Sequence, residues 1–241
     1  MFMGKGGMMF SVVLFLLFTA AIPHTYALET EFPVDPTSRE SFAQPEEMGV
    51  SVFAVEPQNK QIVCFDVADE GCIALGLKDP MDPDMGFVSI YTDEGLFLEG
   101  FQFKCYGSFY VEVLSNRVNI YCLRGDYLMS IPFTAGACER WSVKNKEVTP
   151  FLRNLKSANR SRNGIEYIVE KDVPLLYNED EYSRLSIQKP TGERTIIYDA
   201  SIYLNRIKTA RIMLFVLLSV ITLIALVSYI LKERGRWSQT P

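Results

Sequence analysis

From Val50 to Phe133 the chain breaks into short runs in which apolar, β-branched and aromatic residues alternate with polar ones. They are VSVFAV (50–55), QIVCFDV (61–67), MGFVSIY (85–91), LFLEGFQF (96–103), FYVEVL (109–114), VNIYCL (118–123) and YLMSIPF (127–133). A period of two puts successive side chains on opposite faces of an extended backbone, so each run predicts a strand. Thr92-Asp93-Glu94-Gly95, Ser115-Asn116-Arg117 and Arg124-Gly125-Asp126 separate neighbouring runs and are short enough to close hairpins. Seven such strands predict a mainly β fold, an antiparallel β-sandwich over residues 48–140 whose core is made by the inward faces of two sheets.

Two longer apolar segments lie outside this pattern. Met8 to Ile22 follows Lys5 and precedes Thr25-Tyr26-Ala27, a small-x-small site, and together they predict a cleaved signal peptide at 1–27. Ile212 to Leu231 carries no charge, and these 20 residues, at 1.5 Å rise each, would cross about 30 Å of hydrocarbon as a helix. The expected topology is type I, with residues 28–211 outside the cytosol and a tail at 232–241 inside it. Lys232, Arg234 and Arg236, with Tyr229 and Trp237 near the interface, suit a cytosolic helix end.

Residues 28–47 are polar, contain Pro33, Pro36 and Pro45, and read as an extended leader. Residues 141–211 form a membrane-proximal region with a weaker pattern. Trp141 to Lys156 predicts a helix interrupted at Pro150, Ile165 to Glu170 and Arg194 to Leu204 fit strand or helix, and Thr195 to Arg211 predicts a helix running into the span. Pro150, Pro174 and Pro190 preclude a long coiled coil there.

Charge and composition narrow the function. The chain has 24 basic and 29 acidic residues; without Lys5, Lys232, Glu233, Arg234 and Arg236 the counts are 20 and 28, so the exterior part is acidic and unsuited to nucleic acid. The single histidine, His24, precedes the expected cleavage site. A mature chain without imidazole has no Ser-His-Asp or Cys-His nucleophile pair and no histidine-ligated zinc. Carboxylate-only hydrolysis survives that exclusion, but no nucleophile, metal or cofactor constellation is visible, and the reading is binding without catalysis.

Five cysteines, Cys64, Cys72, Cys105, Cys122 and Cys138, all lie between the apolar segments, where disulfides are permitted. Five thiols allow fifteen ways to form two bridges. Alternation puts Cys122 on one face with Val118 and Ile120, and Cys64 on one face with Ile62 and Asp66. A Cys64 to Cys122 bridge is the favoured candidate. It would join an early strand to a late one, a closure worth roughly 3–4 kcal/mol in the chain-entropy picture.

Asn159-Arg160-Ser161 is a glycosylation sequon in polar surroundings. Arg124-Gly125-Asp126 matches an adhesion tripeptide, though these are also ordinary turn residues. Asp79, Asp82 and Asp84 offer oxygens for Ca²⁺ but lack the glycine and distal glutamate of an EF-hand loop, and Asn178-Glu179-Asp180-Glu181 reads as a solvated acidic run.

In their order these parts resemble the GOLD-domain cargo receptors that cycle between endoplasmic reticulum and Golgi. The resemblance lies in Cys64-Phe65, Gly86-Phe87-Val88-Ser89-Ile90-Tyr91, Tyr121-Cys122-Leu123 and Thr209-Ala210-Arg211-Ile212. It implies a sandwich closed by one disulfide, residence in those membranes, and binding of luminal proteins or other membrane proteins in vesicular transport. The family's coiled coil and its tail signals, a paired aromatic and a basic pair, have no counterpart here. The alternative expectation is a cell-surface or envelope glycoprotein of a parasite or virus, acting in attachment.

Overall fold

The computed structural model describes Thr30 and residues 32–133, 136–143, 157–171 and 182–237, with side chains as far as residue 230. The expected signal peptide, most of the helix expected at 141–156, the acidic run at 178–181 and the side chains of the tail lie outside the described residues. Trp141 and Ser142, at the start of that expected helix, are strand instead.

The described residues form fourteen strands, one long helix and two short 3-10 turns. The strands are β1 (Glu40–Phe42), β2 (Val50–Phe53), β3 (Gln61–Val67), β4 (Ile73–Lys78), β5 (Met85–Tyr91), β6 (Phe97–Lys104), β7 (Phe109–Leu114), β8 (Arg117–Cys122), β9 (Tyr127–Pro132) and β10 (Cys138–Ser142). They continue as β11 (Asn159–Arg162), β12 (Ile165–Glu170), β13 (Arg184–Gln188) and β14 (Arg194–Asp199), followed by α1 (Ser201–Trp237). All seven expected strands are present, within two residues at either end.

Every strand pair is antiparallel, and the strands fall into three sheets: β1-β10-β9-β8-β7, β2-β6-β5-β4-β3, and β11-β12-β13-β14. Each contains a meander of four consecutive strands. The segment before β3 completes the first two sheets, adding β1 beside β10 and β2 beside β6. Residues 28–47 are thus not simply an extended leader. Phe32 is buried with its ring 5.1 Å from Tyr121, and Val34 bridges Val143.

The second sheet is covered on both sides. Strands β3 and β4 pack on β7 of the first sheet. On the opposite face Phe65, Val67, Ile73, Leu75, Leu77, Phe87 and Tyr91 share an apolar cluster with Tyr167, Val169, Leu185, Ile187 and Tyr198 of the third sheet. A bulge between Ile62 and Cys64 moves Ile62 into this cluster, so it does not share a face with Cys64 as strict alternation predicts. The compact β region therefore extends well beyond residues 48–140. What reads in sequence as a weakly patterned membrane-proximal stretch is a third layer of the same core.

Packing within the second sheet depends on missing side chains. A Cβ on Gly76 would lie 2.3 Å from Cys64 Sγ, and one on Gly100 would lie 2.1 Å from the Phe53 ring and 2.7 Å from the Val88 carbonyl oxygen. Glycine at these strand positions lets neighbouring bulk occupy the space.

Residues 195–199 belong to β14 rather than to a helix, and α1 begins directly after it. The Asp199 carboxylate accepts from the Ser201 N–H at 2.9 Å, satisfying one of the helix's orphan donors, and Ala200, Ser201 and Leu204 are buried. Although partial burial acts to raise it, hydrogen bonds from Ser201 and Arg184 hold the Asp199 carboxyl below its ordinary value. Farther along, Arg211 donates to the Pro80 carbonyl oxygen at 3.1 Å, tying α1 to the β4–β5 loop. From Ile212 to Ile230 every described side chain is exposed, and the segment Ser201–Ile230 is long and apolar enough to cross a membrane. Ser219 and Thr222 donate back to the Phe215 and Leu218 carbonyl oxygens, so neither hydroxyl needs water.

Candidate functional site

Residues of the first and second sheets together line an open cleft of about 380 Å³. One wall comes from the 3-10 turn Pro45–Met48 and from β2, contributing Met48, Gly49 and Ser51. Gly49 adopts a left-handed conformation (φ 77°), and its N–H donates to the Glu46 carbonyl oxygen, which turns the chain from Met48 into β2. Met85 of β5 and Gln102, Phe103 and Lys104 of β6 continue the lining. Tyr127 and Met129 of β9 and Arg140 of β10 complete it from the first sheet.

Three thioethers and two aromatic rings make an apolar surface that can adapt to the shape of an occupant. Its rim is cationic. Arg140 lies 5.1 Å over the Phe42 ring and 3.4 Å from Glu40, while Lys104 is exposed. Burial and the neighbouring Cys122 push the Tyr127 hydroxyl upward, so it stays protonated as a hydrogen-bond donor.

The residues singled out in sequence do not converge on this cleft. Cys64 and Cys122 are both buried thiols in the structure and are not joined to each other. Cys64 of β3, a strand that packs on β7, lies against Gly76, whereas Cys122 at the end of β8 pairs with Phe109 at the start of β7. Alternation gives the face of a strand but not which neighbour of the opposing sheet lies over each position.

Arg124, Gly125 and Asp126 occupy the β8–β9 turn, as expected. Arg124 and Gly125 are exposed, but Asp126, at φ 50°, is half-buried beside Tyr121. Burial, with the Asp126 carboxylate beside it, raises the Tyr121 hydroxyl to about 12. The carboxylate that adhesion would require to be presented is thus turned toward the sheet, favouring the turn-only role.

Asn159 and Ser161 of the sequon are exposed on edge strand β11, while Arg160 between them turns the other way. Arg160 Nη1 lies 2.8 Å from Asp66 Oδ1 and its guanidinium 5.5 Å over the Phe65 ring. Asp66 Oδ2 also accepts from the Val113 N–H at 2.8 Å. Burial raises the Asp66 carboxyl above its ordinary value despite the opposing pull of Arg160. In the β4–β5 loop, Asp79 pairs with Lys60 and accepts from the Met81 N–H, and Asp82 accepts from the Asp84 N–H. Among the described residues no group of three or more His, Cys, Asp or Glu is placed to hold a metal.

Sequence reading missed a polar row on the far side of the first sheet. Glu112, Asn119, Ser130 and Glu139 are register partners across β7, β8, β9 and β10, and all are buried. Asn119 donates to Glu112 at 2.7 Å, and Trp141, Arg39 and Arg117 all meet Glu139. Three strand spacings put the two carboxylates roughly 14 Å apart, beyond the roughly 5–9.5 Å of a glycosidase acid pair. The cleft residues were missed as well. They come from five separate segments, and Met85, Tyr127 and Met129 sit in runs that alternation assigns to the core.

No protein-family model, no curated protein and no solved structure matches this chain. The fold and the exposed apolar helix define it as a mainly β protein with, among the described residues, one segment of membrane-spanning length.

Proposed function

We propose that this chain is a single-span protein of the secretory pathway whose β domain, on the non-cytosolic side, acts by binding other proteins without catalysis. The observation that carries the reading is the cleft, with its Met48, Met85, Met129, Phe103 and Tyr127 surface and its Lys104 and Arg140 rim. Its occupant is an extended protein segment carrying a large apolar side chain flanked by carboxylates, matching apolar floor to apolar residue and cationic rim to acid. Cargo reception between endoplasmic reticulum and Golgi, as in the GOLD-domain proteins, is one use of such a site. Spanning is supported by helix residues exposed on all sides, an arrangement that lipid, unlike water, favours. The exposed positions of Asn159 and Ser161 suit glycosylation in that pathway.

Two measurements test this. Protease added to sealed microsomes should leave residues 50–133 intact; their digestion would place the domain in the cytosol and end the topology. Full-length protein in detergent should bind a Leu/Glu-alternating peptide more tightly than a Leu/Lys one. Arg140→Glu should weaken the acidic peptide at least about tenfold, or about 1.4 kcal/mol. Equal binding of the two peptides, or indifference to Arg140→Glu, would remove the cleft as the seat.

A further inference from the structure

We propose that Cys105 and Cys122 form a disulfide that fastens the second sheet to the first. Cys105 immediately follows β6 of the second sheet, and Cys122 ends β8 of the first, so the bond would tie two layers. The connection between them is short. The chain turns through residues 105–108 into β7, whose first residue, Phe109, is the register partner of Cys122.

Two hydrogen bonds converge on one carbonyl there: the Cys105 thiol donates to Ser108 O at 3.9 Å and the Leu123 N–H donates to the same oxygen at 3.1 Å. This brings the Cys105 sulfur alongside the end of β8, next to Cys122. Cys105 is held further by its own backbone, with its N–H on Asp84 O at 2.8 Å and its carbonyl accepting from Lys78 at 3.1 Å. The remaining cysteines are placed elsewhere: Cys64 of β3, which packs on β7, is enclosed against Gly76, Cys72 precedes β4, and Cys138 opens β10.

The bond forms by thiol–disulfide exchange. One of the two thiolates attacks a sulfur of an oxidised dithiol protein, forming a mixed disulfide and releasing that protein's other sulfur as a thiolate. The second cysteine, deprotonated in turn, attacks the first cysteine's sulfur and expels the donor as a dithiol, so two electrons and two protons leave this chain for the donor. Both cysteines are buried once the layers close, which places the exchange before final packing.

This inference rests on the domain lying outside the cytosol, and the test separates the two. Full-length protein is taken from sealed membranes, its free thiols are alkylated, and it is digested with trypsin without reduction. Cleavage after Lys104, Arg117 and Arg124 yields peptides 105–117 and 118–124 with one cysteine each, while Cys64 and Cys72 share peptide 61–78. The expected result is a joined 105–117/118–124 species that splits fully into its two peptides on reduction, with Cys64 alkylated. Peptide 61–78 joined to either partner overturns the pairing, as do alkylated Cys105 and Cys122 in a protease-protected domain. Alkylated Cys105 and Cys122 in a domain digested from outside overturn the location and the pairing together.

Discussion

Arg160→Met is expected to destabilise the β domain by about 3–5 kcal/mol at neutral pH, the usual cost of breaking a buried ion pair by removing one partner. The side chains of Arg160 and Asp66 are only 14% and 9% exposed, so neither charge has water to fall back on. Asp66 keeps the Val113 N–H but loses its cation. The pH dependence gives the mechanism a signature. Burial already raises the Asp66 carboxyl, so the folded chain holds this proton more readily than the unfolded chain. Stability from such a group is complete below the unfolded pKa of about 3.9 and is lost as pH rises through the folded value. Without Arg160 the folded value climbs further and the loss at neutral pH deepens. Variant and parent should therefore converge as pH falls toward about 4. Denaturant unfolding at the two pH values reads this directly, and a deficit unchanged by pH would exclude Asp66 as its source. Methionine leaves the sequon intact, since only proline is forbidden at its middle position.

Tyr167→Ala should remove roughly 3–5 kcal/mol, as expected for deleting a large aromatic side chain from a closed core. Tyr167 is 1% exposed and belongs to the cluster that joins the second and third sheets. Because that core also buries Leu204, the loss should reach the root of α1 as well as both sheets. Hydrogen exchange followed by mass spectrometry should show faster exchange in β3, β4, β5, β13 and β14 together. Faster exchange confined to β12–β14 would show that the third sheet opens independently of the second.

Much of the fold is legible in the sequence because most strands in the first two sheets combine alternation with clear turns. The strands that escaped reading did so for separate reasons. β4 (IALGLK) is buried along nearly its whole length and therefore shows a continuous apolar run, which does not declare a strand by period. β11 (NRSR) has no apolar residue at all, and it is held by pairing with β12 and by Arg160 reaching Asp66. β10 (CERWS) carries Glu139 and Arg140 into the sheet, and their partners Arg39, Arg117 and Glu40 are remote in sequence or come from the N-terminal segment. Such pairings are tertiary facts, invisible in any short window. The adhesion tripeptide illustrates the same limit at the level of a site: its turn is readable, while the inward tilt of Asp126 depends on Tyr121.

The sequence by itself determined the β character, the positions of seven strands and the apolar segment of membrane-spanning length, because each depends on local periodicity or on a run of residues. Only the tertiary structure decided that the second sheet is covered by the first on one side and by the third on the other, and that methionines from distant segments face two cations across one cleft. Those outcomes depend on which sheet face lies against which, a choice made by the summed burial of many side chains, with room left at Gly76 for Phe109 of the first sheet.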